Sequence, residues 1–205
     1  VDQCEQVLID GFQALELYAE KQTIKNLLQF QKLLAKWNQV YNLSAIRDPL
    51  EMIRLHLLDS LAVHKHLSGK CVADVGTGAG IPGIPLALMS EEKQFYLIDC
   101  DSKKTRFVQQ VAIELKLKNV TIVHGRVEDI ELTEKMDAVI TRAFSSLSEI
   151  LAKTRHLLRT GGVVLALKGK SPAQELKQFA HNEYTLRTLD VPGINAERHL
   201  VTLTP

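Results

Sequence analysis

What this sequence lacks narrows its function before any motif is read. Only three of 205 residues are cysteine, Cys4, Cys71 and Cys100. They lie far apart, form no C-x-x-C pair and have no His at zinc-finger spacing, so neither a disulfide framework nor a structural metal is signalled and a reducing, cytoplasmic setting is expected. No apolar run approaches the roughly 18 residues of a membrane span, and the opening Val1-Asp2-Gln3-Cys4-Glu5 has no basic segment leading into an apolar one. Neither export nor a membrane partner is expected. The chain does not begin with Met, so a few residues are expected ahead of Val1. Charge of one sign is missing too. The 25 Lys+Arg balance 24 Asp+Glu for a net charge of +1, which argues against gripping nucleic acid through a bulk basic field and leaves room only for local basic patches. Aromatics are 5% of the chain, and no repeat or low-complexity segment occurs.

What is present is enough apolar residue, 45% of the chain, for one full domain with a small appendage. Residues 1–67 read as a helical cap packed on the main domain. Within it Leu27, Phe30, Leu34, Trp37 and Tyr41 recur at three- and four-residue steps, a stripe that predicts one buried helix face. Asp48-Pro49 then starts a further helix over about 49–66. After Ser68-Gly69 the texture changes to short β-branched runs alternating with helical stretches, so residues 68–205 read as an α/β domain with a doubly wound, mostly parallel, Rossmann-like sheet. Strands are expected near 71–75, 95–99, 120–124, 137–141 and 163–167, and helices near 83–90, 102–117, 146–158 and 172–181. Two last runs, 184–191 and 198–203, flank Pro192-Gly193 with no helix between them and predict a closing antiparallel pair.

The sharpest motif is Asp74-Val75-Gly76-Thr77-Gly78-Ala79-Gly80-Ile81-Pro82-Gly83, a strand entering a glycine-dense turn and then a helix. Two registers compete. Gly78-x-Gly80-x-x-Gly83 matches the dinucleotide fingerprint literally, but its first glycine falls three residues past the strand end instead of directly after it. Counted from the strand, the motif is Asp-x-Gly-x-Gly-x-Gly, with Asp74, Gly76, Gly78 and Gly80. An acid there suits a positively charged ligand such as S-adenosylmethionine, with its sulfonium and ammonium groups, and is awkward beside a pyrophosphate. Asp99, 23 residues after Gly76, sits where a carboxylate accepts hydrogen bonds from ribose hydroxyls in either register.

Gly76 to Leu86 resembles the glycine loop of the bacterial small-subunit (16S) ribosomal RNA guanine-N7 methyltransferases, the glucose-inhibited division protein B family. Further blocks match in order along nearly the whole chain: Lys36-Trp37-Asn38, Tyr41 to Ser44 with Arg47-Asp48-Pro49, His56 to Ser60, Gly125 to Glu128, Thr141 to Phe144, Leu167-Lys168-Gly169 and Glu197 to Leu200. One departure is Leu55, where the family usually carries a basic residue before the His. The resemblance implies that Gly76 and Ile81 line the cofactor pocket, that Val127 and Glu128 meet the adenine, and that Arg142 closes the pocket near its reactive end. The partner it implies is 16S ribosomal RNA or the small ribosomal subunit, taken by a monomer.

Guanine N7 carries a lone pair and no proton, so a base-free transfer is expected, resting on positioning. Arg142 and Lys168 are the candidates beside the acceptor base, and Arg126, Lys168 and Arg198 for RNA contact. His56 and His199 are read as structural, His64-x-His66 as no metal site, and the Trp37 stripe as core. Lys103, Lys104 and Arg106 open a helix where its dipole disfavours cations, a hint of phosphate contact. The rival readings are methylation of a protein or small molecule, an NAD-dependent oxidoreductase and a non-enzymatic nucleotide-binding module.

Overall fold

The computed structural model describes residues 2–205. Three helical elements come first. Helix α1 (Gln3–Ala14) is capped by Asp2, whose carboxylate accepts from the Cys4 N–H. Helix α2 (Lys21–Tyr41) ends at Asn42, which turns the chain away in the left-handed region at φ 50°. Helix α3 starts at Pro49 behind the Asp48 cap and runs as α-helix over Pro49–Met52, as π-helix over Ile53–Leu58 and as α-helix again over Asp59–Leu61. The expected helix to 66 therefore stops early, and His64–His66 is one 3-10 turn. α1 crosses α3 closely. A Cβ on Gly11 would run into the side chain of Leu58, so only glycine lets the two backbones approach.

The rest alternates strand and helix. In order come β1 (Cys71–Val75), α4 (Gly83–Met89), β2 (Gln94–Asp99), α5 (Ser102–Glu114), β3 (Val120–His124), β4 (Met136–Arg142), α6 (Leu147–Thr154), β5 (Leu158–Lys168), α7 (Ala173–Leu176), β6 (Tyr184–Thr188) and β7 (His199–Leu203). The sheet order is β3-β2-β1-β4-β5-β7-β6. All pairs are parallel except β5–β7 and β6–β7, so the expected closing antiparallel pair is present. Several boundaries differ from expectation. β5 begins at Leu158 because Leu158 pairs with Met136 ahead of a bulge. α6 gives way to a 3-10 turn after Thr154, and α7 is a single turn where a longer helix was expected over 172–181.

The sheet is covered on both faces. α1, α2 and α3 share one apolar cluster with Val72, Phe95, Leu97, Phe107, Ile140 and Leu200, so these helices pack directly on one face. On the other, Leu147, Ile150 and Leu176 pack on Ala73, Val139, Val164 and Val201. The chain leaves β1 toward β2 on one side and returns to β4 on the other. A crevice therefore opens beyond the carboxyl ends of β1 and β4, where ligands bind in doubly wound sheets.

Candidate functional site

The glycine loop hangs from β2, with the N–H groups of Gly76 and Thr77 both donating to the Ile98 carbonyl at 2.9 and 3.0 Å. Gly76, Gly78 and Gly80 all lie in the left-handed region, at φ 71°, 58° and 80°, which side chains strongly disfavour. A Cβ on Gly76 would also stand 2.7 Å from the Phe144 ring. Asp74, expected to face the cofactor's positive charge, is instead fully buried and does not line the crevice. Its Oδ2 accepts from the Thr77 hydroxyl at 2.7 Å and from the Gly83 N–H at 2.8 Å. Burial pushes its pKa up to about 6, against the pull of the Thr77 and Gly83 hydrogen bonds and of Arg142. Its task is to shape the loop. A carboxylate on the Gly83 N–H also weighs against a pyrophosphate at the start of α4, where the dinucleotide fingerprint would need it.

The crevice itself, a cleft of about 350 Å³, is built from four strand ends. β1 supplies Val75 and Gly76, β2 supplies Ile98 and Asp99, the turn after β3 supplies Gly125 to Glu128, and the turn after β4 supplies Ala143 and Phe144. Asp99 is buried, its Oδ2 accepting from the Gly78 N–H at 2.8 Å and its Oδ1 from the Asp101 N–H at 2.9 Å. Each oxygen keeps a lone pair for a further donor. Glu128 pairs with Lys153 at 3.4 Å, and Lys153 stands 5.7 Å over the Phe144 ring. Its carboxyl is held low by its own backbone N–H and by Lys153. An apolar slot between Val75, Ile98, Val127 and Phe144, with a carboxylate at one wall, fits an adenosine whose ribose hydroxyls need acceptors. Gly78, Gly80 and Ile81 do not line it; Ile81 is buried in the core beneath the loop.

Arg142, Arg198 and Asp59 make a second constellation. Arg142 does not line the cleft: its Nη1 donates to the Leu55 carbonyl at 3.0 Å and to Asp59 Oδ2 at 3.2 Å. Arg198 Nε donates to Asp59 Oδ1 at 3.0 Å. One buried carboxylate on α3 therefore holds two guanidiniums, one from the end of β4 and one beside β7. Asp59 stands in the His56-to-Ser60 block, and nothing in its local sequence marks it as the partner of two arginines. Lys168 is bound to both carboxylate oxygens of Glu175 at 3.1 Å and to the Ser145 carbonyl at 3.0 Å. Arg126 does line the cleft. His64 is taken up by Ser90 at 3.1 Å, and among the described residues no group of three or more His, Cys, Asp or Glu is placed to hold a metal. Nor is any described helix long and apolar enough to cross a membrane.

His56 contacts the Ser44 hydroxyl through Nε2 at 2.8 Å and the Leu55 carbonyl through Nδ1 at 3.2 Å, which together assign Nδ1 as donor and Nε2 as acceptor. Burial, aided by the Arg142 charge, pushes its pKa down from 6.5 to about 4. A base with a lowered folded pKa stabilises the protein above its unfolded pKa and loses that contribution as pH falls. The window here runs from 6.5 down to about 4. Asp74 opposes it, since its raised pKa makes stability fall as pH rises from 3.8 toward 6. In His56→Gln the loss of unfolding free energy on acidification from pH 6.5 to 4 should accordingly be smaller than in the unsubstituted protein, by up to about 3 kcal/mol. Equal slopes would mean that His56 titrates normally in the fold.

With this geometry in place, relatives give the site its context. The family model of rRNA small subunit methyltransferase G (GidB) matches residues 23–201. The chain belongs to this family. A ribosomal RNA small subunit methyltransferase G of Methylococcus capsulatus is 52% identical over 182 residues, covering 88% of this chain and 89% of that protein. The namesake from Vibrio vulnificus is 45% identical over 192 residues, with 92% and 91% covered. Among solved structures, a SAM-dependent methyltransferase from Aquifex aeolicus superposes with a TM-score of 0.57 at 21% identity, covering 74% of this chain and 93% of that one. A precorrin-6y C5,15-methyltransferase from Geobacter metallireducens gives 0.53 at 12% identity, with 71% and 87% covered. At such identities those two establish the fold alone. As a member of this family the chain is an S-adenosylmethionine-dependent methyltransferase.

Proposed function

We infer that this chain methylates N7 of a guanine in small-subunit ribosomal RNA, in the cytoplasm where ribosomes are assembled. Family membership over residues 23–201 carries the reading, and the cleft at the ends of β1 and β2 supports it. When bound, S-adenosylmethionine supplies an electrophilic sulfonium methyl. In this reading Asp99 accepts from the ribose hydroxyls, Gly76 admits the ligand close to the backbone, and Val127 and Glu128 border the adenine. Arg142 and Arg198, aimed by Asp59, and Lys168, aimed by Glu175, present cations to the RNA beside the cleft, joined by Arg126 at its wall. The rival oxidoreductase reading is disfavoured by the Asp74 carboxylate on the Gly83 N–H.

The guanine N7 lone pair needs no base, and the fold prepares none at His56. Both of its ring nitrogens are engaged, and a pKa near 4 leaves it a weak proton acceptor. At saturating cofactor and RNA the rate should be level between about pH 7 and 8, above the titration of Asp74, and His56→Gln should cost less than the roughly 10²–10⁴-fold of a lost general base. A log rate rising with unit slope over that range, and flattened by the substitution, would rule out base-free transfer. The deciding experiment transfers labelled methyl to small ribosomal subunits and maps the product by mass. Label on a guanine at which the chain is cleaved by aniline after borohydride reduction, as N7-methylguanine in RNA is, is the expected result; label on an exocyclic amine or on protein would overturn the reading.

A further inference from the structure

The predicted apolar stripe on α2 is only partly core. Leu27, Phe30 and Leu34 are buried and Trp37 is half-buried, but Tyr41 is 45% exposed and its neighbour Val40 71%. Lone exposed apolar residues need no explanation. Tyr41 differs in being built up from beneath: its ring lies 5.3 Å from Trp37 at 31°, and Trp37 lies 5.5 Å from Phe107 of α5.

The surroundings are cationic and fixed. Asn38, buried at the end of α2, donates to the Ser44 and Ile46 carbonyls at 2.9 and 3.1 Å and accepts from the Ser44 N–H at 2.8 Å, so the loop over 42–48 has one shape. On that loop the exposed Arg47 guanidinium is held against the end of α2, by Asn42 Oδ1 at 2.8 Å and the Asn38 carbonyl at 3.4 Å. Lys103 lies one helical turn before Phe107 and so on the α5 side that backs Trp37, at a helix start where the dipole disfavours a cation. The nearby acids serve as helix caps at the surface, Asp48 on the Glu51 N–H and Asp101 on the Lys103 N–H.

We propose that Tyr41, backed by Trp37, is a stacking platform for an unpaired base of the substrate RNA, with Arg47 of the adjoining loop and Lys103 at the start of α5 taking its phosphates. The proposal rests on the ribosomal RNA reading. An aromatic face near cations is what single-stranded RNA requires, since every base has a π-face and every link a charge, whereas a protein partner would find only a small apolar patch with two cations close by. The platform is wired to the site: Ser44 Oγ meets His56, whose Nδ1 shares the Leu55 carbonyl with Arg142.

Trp37 is the one tryptophan of the chain, so its emission reports on this face. Single-stranded oligonucleotides of small-subunit RNA should quench it on binding. Tyr41→Ala should raise the KM for ribosomal RNA about tenfold or more, with kcat and S-adenosylhomocysteine affinity unchanged and only a small loss of melting temperature from the Trp37 contact, and Tyr41→Phe should restore it. Arg47→Ala should lower the salt dependence of RNA binding by about one phosphate contact. An unchanged KM in Tyr41→Ala would overturn the platform, as would Trp37 emission indifferent to saturating RNA, the result expected of a protein-docking face. Failure of the ribosomal RNA reading shows separately, as absence of methyl transfer by the unsubstituted protein.

Discussion

An Asp59→Ala protein should melt about 6–12 °C lower than the parent and lose most of its methyl transfer per folded molecule. Asp59 is buried and its two oxygens hold Arg198 and Arg142 at 3.0 and 3.2 Å. Removing one partner of a buried ion pair typically costs about 3–5 kcal/mol, because the charge left behind has lost its counterion and has not regained water. The two guanidiniums retain 25% and 21% of their side-chain exposure, so water recovers part of the loss and about 3 kcal/mol is the better figure. For a chain of this size each kcal/mol moves the melting temperature by roughly 2–4 °C. Asp59→Asn keeps the shape but turns an amide toward one cation, and should fall between. Each guanidinium keeps one backbone carbonyl in these variants, Arg142 that of Leu55 at 3.0 Å and Arg198 that of Glu197 at 2.9 Å. A double-mutant cycle of Asp59→Ala with Arg198→Ala should show a coupling above about 0.5 kcal/mol. Additive losses and an unshifted melting curve would mean that the three charges are independent.

Asp59 also shows where a sequence stops being readable. Its partners lie 83 and 139 positions away, and no local pattern reports such a contact. The five parallel strands were legible because strands buried on both faces read as apolar runs, and Phe95, Leu97, Val139 and Val164 sit in the core as that pattern requires. Helix ends were harder. The π-helical run Ile53–Leu58 and the one-turn α7 are set by tertiary packing, which overrides propensity. Asp74 stands out in the sequence as a distinctive acid, but the sequence does not show its neighbours. A carboxylate two residues before a glycine turn serves a ligand or the loop itself equally well on paper, and only the Thr77 and Gly83 contacts show that the loop claimed it. Tyr41 failed in the opposite direction, since helical periodicity fixes the face of a residue but not how far the neighbouring layer extends.

Asp99 combines both roles, and its replacement has the second large effect. Its oxygens accept from the Gly78 and Asp101 N–H groups at 2.8 and 2.9 Å, which ties the glycine loop and the start of α5 to the end of β2. Hydrogen bonds to a charged group are worth about 1.5–3 kcal/mol each, and the proposed ribose contacts belong to that class. Asp99→Ala should therefore weaken S-adenosylhomocysteine binding by about 10- to 150-fold in calorimetry. It should also lower stability without ligand by about 1–2 kcal/mol, because the two N–H groups near the cleft fall back on water. Asp99→Asn separates these contributions. It retains one acceptor oxygen and converts the other into a donor facing a backbone N–H, so the loop should loosen while one ribose hydroxyl keeps its partner, and affinity should drop less than in the alanine variant. Binding lost in proportion to stability across both variants would reduce Asp99 to a loop anchor. Affinity unchanged in Asp99→Ala would remove it from the cofactor site altogether and leave Glu128, also in the cleft lining, as the carboxylate available to a ribose.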